Sequence, residues 1–284
     1  MTRRVVLLVV LAVLAAGPLL AQSVVSAADR EAIRGVPDKW GFSLGGFWQT
    51  FNTKVRLNGE TATGTEINFE SDLGLAKSIT SFQLGGFYRF GDHSRLDLTY
   101  VPWNREQTRT INRQIEWGDV IYDAGATLHT KAKISMLNLI YRYSFINNGN
   151  VAFGVNGGVS ALWSNLELTG EGTISGGGTA SGTIAKASDV ILPIPVIGVH
   201  FEMTLIKRLL WRAEGNFFAA NVAGYDGNIN VLSTSIAYFP TRHVGVGAGF
   251  ASNLYNVTKS GDNGGDLRVR YGFSGVTAFA QFVF

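Results

Sequence analysis

The chain of 284 residues has no cysteine, which excludes a disulfide framework, thiol catalysis and a lipidated N-terminal cysteine. Charge is scarce: 16% of residues are Asp, Glu, Lys or Arg, against roughly 25% in an ordinary soluble domain. The formal net charge is only +3, and it falls further if Arg3 and Arg4 leave with a leader. No surplus of positive charge points to nucleic acid. There are only 6 prolines. After the first twenty or so residues, no apolar run reaches the roughly 20 residues that a membrane helix needs.

Glycine and aromatic residues are abundant, with 35 glycines and 12% aromatics. They fall in alternating rows. Leu137, Leu139, Tyr141, Tyr143 and Phe145 share one parity, with Asn138, Arg142 and Ser144 on the other. After Ile146-Asn147-Asn148-Gly149-Asn150, an apolar row of Val151, Phe153, Val155, Val159, Ala161 and Trp163 alternates with Ala152, Gly154, Asn156, Gly158 and Ser160. Strand side chains alternate between faces, and Asn and Gly tolerate the positive φ of tight turns. The stretch is therefore a long hairpin with one greasy face and one small or polar face. Each apolar row spans the roughly 9–11 residues of a tilted strand crossing a bilayer.

The same pattern recurs along the chain. Met1 to Ala27 reads as a secretory leader, with Arg3 and Arg4, an apolar stretch from Val5 to Leu20 and a small-residue site at Val25-Ser26-Ala27. Residues 28–39 read as a short polar periplasmic lead-in, and residues 40–284 as the barrel. Outward rows include Trp40, Phe42, Leu44 and Trp48; Phe82, Leu84, Tyr88 and Phe90; and Leu96, Leu98 and Tyr100. Further rows are Ile197, Val199, Phe201 and Met203; Trp211, Ala213 and Phe217; and Val244, Val246, Ala248 and Phe250. The facing of residues 228–239 is ambiguous, and Trp103 fits no outward row. Pro193 and Pro195 fall on an outward parity and should distort their strand by removing ladder donors.

Polar excursions at about 58–71, 101–127, 169–187 and 260–266 alternate with short turns, as expected of extracellular loops and periplasmic turns. Closure removes the sheet edges, which a membrane does not tolerate. The expectation is all-β: a closed antiparallel up-and-down transmembrane β-barrel of ten strands, or eight if the first pair or residues 228–239 are misread.

The ending Ala-Phe-Ala-Gln-Phe-Val-Phe, with Phe282 and Phe284, resembles the C-terminal signature of bacterial outer-membrane barrels, where it is an assembly signal. Residues 40 to 284 resemble poorly characterised Gram-negative barrel proteins of the outer-membrane β-barrel domain type. That resemblance rests on Glu70-Ser71-Asp72-Leu73-Gly74-Leu75, Tyr88-Arg89-Phe90 and Tyr141-Arg142-Tyr143-Ser144-Phe145. It implies a bacterial outer-membrane location and the barrel-assembly machinery as a partner during biogenesis, but no activity.

The lumen parity gathers Arg89, Arg95, Asp97, Arg142, His200, Glu202, Arg212 and Glu214 near the periplasmic turns. Charges facing lipid at mid-membrane would cost about 2–4 kcal/mol. Mixed signs favour a salt-bridged fill of the barrel floor over a polar constriction that passes small solutes. Gly85, Gly154, Gly158, Gly245, Gly247 and Gly249 leave room for a narrow water path beside it. Lys131 and Lys133 extend an outward row above the apolar band, where lipopolysaccharide phosphates would lie.

Enzyme readings are weak. His200 and Glu202 are tied to no serine by spacing. Leu128-His129-Thr130 lacks the His-x-Ser pattern of lipid A deacylases. Ten strands resemble the omptin proteases, but their acidic and His-Asp constellation has no match beyond Asp119, Asp123 and His129. Asp262, Asn263 and Asp266 offer at most weak calcium ligands, and no motif calls for a cofactor. The leading expectation is a structural or narrow-channel outer-membrane barrel. A surface adhesin or ligand-binding barrel acting through its outer loops comes second, and an outer-membrane hydrolase third.

Overall fold

The computed structural model describes residues 24–58, 64–117, 120–174, 178–222, 225–259 and 267–284, with side chains outside 171–192, 219–225 and 259. Its ten long strands are β1 (Trp40–Leu57), β3 (Ser78–Arg89), β4 (Ser94–Thr110), β7 (Thr127–Asn147), β8 (Val151–Ile174), β9 (Gly178–Ile206), β10 (Leu209–Val222), β11 (Tyr225–Tyr238), β12 (Val244–Lys259) and β13 (Leu267–Val283). Short strands β2 (Ile67–Asn68), β5 (Ile115–Trp117) and β6 (Val120–Tyr122) lie at the loop end. Each long strand pairs antiparallel with its chain neighbours, and β13 returns to β1 in register from Gly41↔Val283 to Leu57↔Leu267. The barrel is closed with ten strands. The stacking of Phe284 on Trp40 (4.4 Å) and Phe282 on Phe42 (4.7 Å) spans the closing seam.

The outward rows are exposed as their parity requires. Trp48 is 51% exposed and Ile197 67%, the reverse of a soluble sheet's covered apolar face. Residues 228–239 resolve into an outward row with Leu232, Ile236 and Tyr238 and an inward row with Ile229 and Ala237. Trp103 belongs to the lumen: it is buried, and its indole N–H donates to Gln49.

Three polar excursions prove to be more ordered than their composition suggests. β4 and β7 stay paired up to Thr110↔Thr127, so residues 101–110 are strand rather than loop. Ile115–Trp117 pairs antiparallel with Val120–Tyr122, and Trp117 and Tyr122 are fully buried. β8 and β9 remain paired through much of 169–187, down to Ile174↔Gly178. In 58–71, Ile67 and Phe69 are fully buried. Polar composition hid these segments because their few apolar residues cluster only when brought together across strands. The loop at 260–266 and Asp119 fall outside the described residues.

The inner face changes character along the barrel axis. Near the turns it is charged. Near the loops it is apolar, with Phe47, Phe51, Val101, Trp103, Ile134, Met136, Leu162, Tyr255, Tyr271 and Phe273 packed across the lumen. Above them Ile67, Phe69, Leu73, Leu75, Ile111, Ile115, Trp117, Tyr122 and Leu168 form a cap. At two of the glycines the room beside the backbone is taken by a neighbouring ring. A Cβ at Gly245 would come within 2.7 Å of the Phe239 ring, and one at Gly247 within 2.5 Å of the Phe279 ring. At these two positions an aromatic ring from elsewhere in the barrel fills the space.

The lead-in is also ordered. Ala27–Arg34 forms helix α1, N-capped by Ser26, whose Oγ accepts from the Asp29 amide at 3.2 Å. Gly35 ends it at φ +74°, a left-handed cap that glycine adopts without strain.

Candidate functional site: the barrel floor and its plug

Arg95 and Asp97 alternate with Leu96 and Leu98 on β4, so parity alone turns the charged pair inward. The same rule places Arg142 on β7, His200 and Glu202 on β9, and Arg212 and Glu214 on β10. All eight lumen residues expected from the sequence line one floor. Arg95 donates to Asp97 at 2.7 Å. Arg142 bridges Asp97 at 2.9 Å and Glu214 at 2.5 Å. Glu202 accepts from Arg212 and lies 3.9 Å from Arg95. The Arg95 guanidinium also covers the Phe87 ring at 3.9 Å. His200 is buried between the Asn156 amide oxygen at 2.6 Å and the Ser144 hydroxyl at 3.0 Å.

The sequence reading missed the other half of this network. Arg30 and Arg34, four apart on one face of α1, are almost fully buried. Arg34 donates to Glu202 and lies 3.5 Å from Asp38. Arg30 lies 3.5 Å from Asp38 and 3.0 Å from Asp92. Asp38 also takes Arg89, at 2.9 Å. The helix is therefore bolted to the floor by charge. The signal was present: Ser26 followed by Asp29 is an N-terminal cap pattern, and Arg30 and Arg34 have the i, i+4 spacing of one helical face.

A cavity of about 190 Å³ lies beside the floor, lined by Ser43, Gln83, Arg95, Asp97, Arg142, Arg212 and Thr277 among others. It has room for several waters. Buried charges are tolerated when they are paired, and each guanidinium of this floor has a carboxylate within 4 Å, although Arg89 Nη1 and Asp97 Oδ2 are buried without a hydrogen-bond partner.

At the loop end the Glu70–Leu75 motif has a structural explanation. Glu70 accepts from Arg105 at 2.6 Å and from the Thr53 amide at 2.8 Å. Asp72 takes the Asn68 amide at 2.9 Å and Arg113 at 2.5 Å. Leu73 and Leu75 are buried in the cap, and Gly74 turns between them at φ +73°. Asp72 lies outside the membrane strands. Partial burial disfavours its charge, but the Asn68 amide and Arg113 outweigh that and hold its carboxyl below the ordinary value. Burial pushes the Tyr122 phenol up to about 12.

The structure brings no catalytic constellation together among the described residues. His129 lies 3.2 Å from Glu106 and 2.9 Å from Thr108, on a half-exposed outer surface. Asp123 accepts from Gln114. Lys131 stands opposite Glu106 on β4 and Glu167 on β8, so its charge is offset locally, whereas Lys133 faces Asn104 and Asn165.

Comparison with solved structures finds barrels of this kind. The outer-membrane protease OmpT from Escherichia coli aligns with 87% of this chain and 97% of its own, at a TM-score of 0.54 and 13% identity. The chain has the outer-membrane β-barrel fold. OprG from Pseudomonas aeruginosa aligns with 87% of this chain and 97% of its own, at a TM-score of 0.33 and 11% identity. Ail of Yersinia pestis aligns with 85% and 99%, at a TM-score of 0.30 and 8% identity. No family model and no curated protein matches the chain. The likeness to OmpT speaks for the fold and for no activity.

Proposed function

We propose that this protein is a Gram-negative outer-membrane barrel that is closed along its axis, a structural or ligand-binding component of the envelope rather than a diffusion pore. One observation carries the reading. The lumen is crossed in turn by the charge-bolted helix α1, the ionic floor and a layer of packed aromatic and aliphatic side chains. A small barrel filled by its own side chains has little free cross-section. The test is single-channel conductance of the refolded barrel in a planar bilayer, after its heat-dependent gel shift confirms folding. An electrically silent barrel is expected. Stable, repeatable current steps from the unaltered chain would sink the reading.

A lipopolysaccharide contact is part of this proposal, and a different set of cations supports it better than Lys131 and Lys133. On the outward parity above Trp48, Lys54 stands opposite Arg270 and Arg56 opposite Arg268 across the β1–β13 seam. Like charges directly opposite destabilise a sheet unless an anion offsets them. Among the described residues only Lys54 has a carboxylate partner, Glu66 at 3.4 Å. Phosphates of the outer leaflet would neutralise the quartet. Lipopolysaccharide binding should weaken in an Arg56→Ala, Arg268→Ala variant and persist in a Lys131→Ala, Lys133→Ala variant. Phe282 and Phe284 stand in the proposal as the segment read by the barrel-assembly machinery.

A further inference from the structure

The barrel wall is not stitched along its whole height. β9 and β10 pair from Leu209↔Ile206 to Phe217↔Ile197, and there the ladder stops. β9 continues upward paired to β8 alone, and β10 continues to Val222 paired to β11 alone. The break is at membrane level. Ile197 and Phe217 are lipid-facing, at 67% and 40% exposed. The outer-belt residue Trp163 stands opposite Ile191, six residues further up β9.

Two prolines account for the break. Pro193 and Pro195 pair with Ala161 and Val159 of β8 with no shift in register, so the distortion expected from sequence is absent on that side. An antiparallel ladder draws its donors from alternate residues. A β8 ladder running through both prolines must take its donors from Ile194 and Val196. The ring nitrogens of Pro193 and Pro195 therefore face β10, the side where pairing has ended. An open strand edge in hydrocarbon is forbidden chiefly by its unsatisfied polar groups, and here two of its donors have been removed.

The chemistry of both edges changes at the same point. Below the break the lumen-facing residues are polar or small: Gly198, His200 and Glu202 on β9, and Arg212, Glu214 and Asn216 on β10. From the break upward both faces are apolar in sequence, as Val190-Ile-Leu-Pro-Ile-Pro-Val-Ile197 and Phe217-Phe-Ala-Ala220. Inside, Ile194 belongs to the apolar layer, and Phe218 packs against it.

We infer that the gap between β9 and β10 is a lateral opening through which a hydrocarbon chain from the outer leaflet enters the apolar layer of the lumen. The occupant is the acyl tail of a membrane lipid or an apolar solute dissolved among the tails, which share one chemistry. This goes beyond the axially closed barrel proposed above. A barrel silent in conductance is compatible with it, so the two readings fail separately.

The test uses the refolded full chain in phosphatidylcholine vesicles carrying a photoactivatable diazirine. In one arm the diazirine sits on a phospholipid acyl chain, in the other on a free long-chain alkane. Labelling is mapped by mass spectrometry. Label on the inward residues Ile194, Val196 and Phe218, in either arm, is expected, and the arm that gives it identifies the source. Label confined to outward residues such as Ile197 and Phe217, in both arms, overturns the inference. A Pro193→Val, Pro195→Val variant restores the donors and should lose the inward label while keeping its heat-dependent gel shift. Undiminished inward label in that folded variant also counts against the opening. Hydrogen exchange on the unaltered chain reads the gap independently of any variant. The amides of residues 218–222 should be less protected than those of residues 211–217, and equal protection would show a closed wall.

Discussion

Arg34 of α1 donates to Glu202 of β9 across the turn-end mouth of the barrel, and both side chains are almost wholly buried. The pair joins helix α1 to a strand well over a hundred residues further along the chain. Glu202 also holds Arg212 and stands near Arg95, which makes it the hub of the floor. Removing one member of a buried ionic group costs about 3–5 kcal/mol because a charge is left uncompensated. Glu202→Gln should lower stability by about that much, read as the urea midpoint of unfolding from vesicles. Arg34→Ala should cost less, since Glu202 retains Arg212. An unchanged midpoint for Glu202→Gln would mean that water already screens the floor.

The cap at the outer mouth should loosen in acid. The folded Asp72 carboxyl titrates below its ordinary value. Its stabilising contribution is therefore whole above the unfolded aspartate value of about 4, and is lost as pH falls through the folded value. Pepsin should cut the 64–75 segment faster at about pH 2 than at about pH 4, beyond its own rate change on an unfolded control peptide. Asp72→Asn should erase that difference. A cleavage ratio identical in the two proteins would reject the link.

Gly245 accommodates the fully buried Phe239 ring. Gly245→Ala should destabilise the barrel by about 1–3 kcal/mol through overpacking. Phe239→Leu should absorb part of that cost, and the two changes should couple in a double-mutant cycle. Purely additive effects would show that the ring does not fill the glycine's space.

Helix α1 bears on the leader cut expected before Ala28. The Ser26 cap, the Val25 amide on the Asn147 carbonyl at 3.1 Å and the Arg30 guanidinium on the Val25 carbonyl at 2.6 Å all precede or span the expected cut before Ala28. Loss of a cap costs about 1 kcal/mol. The exported chain is expected to retain Val25 and Ser26. The intact mass of protein extracted from outer membranes decides it, and a mass beginning at Ala28 would refute the expectation.

By itself the sequence determined most of the strand parity, the hairpin at Asn147–Asn150 and a closed barrel, with ten strands expected over eight. Period-two alternation between lipid and lumen is a local rule, and local rules are legible one strand at a time. The tertiary structure decided what no single strand contains. Arg30, Arg34 and Asp38 became part of the floor only when a short polar segment folded into the mouth of a barrel made later in the chain. Trp103, Trp117 and Tyr122 became core because β4 and its hairpin extend above the membrane and meet the Glu70–Leu75 segment. The space at Gly245 and Gly247 was filled by Phe239 and Phe279. Pro193 and Pro195 could be seen to weaken a ladder, but which neighbour loses its partner depends on the pairing of β9 with β8. Burial and charge compensation are sums over distant residues, and closure of the barrel is what brings those residues within reach.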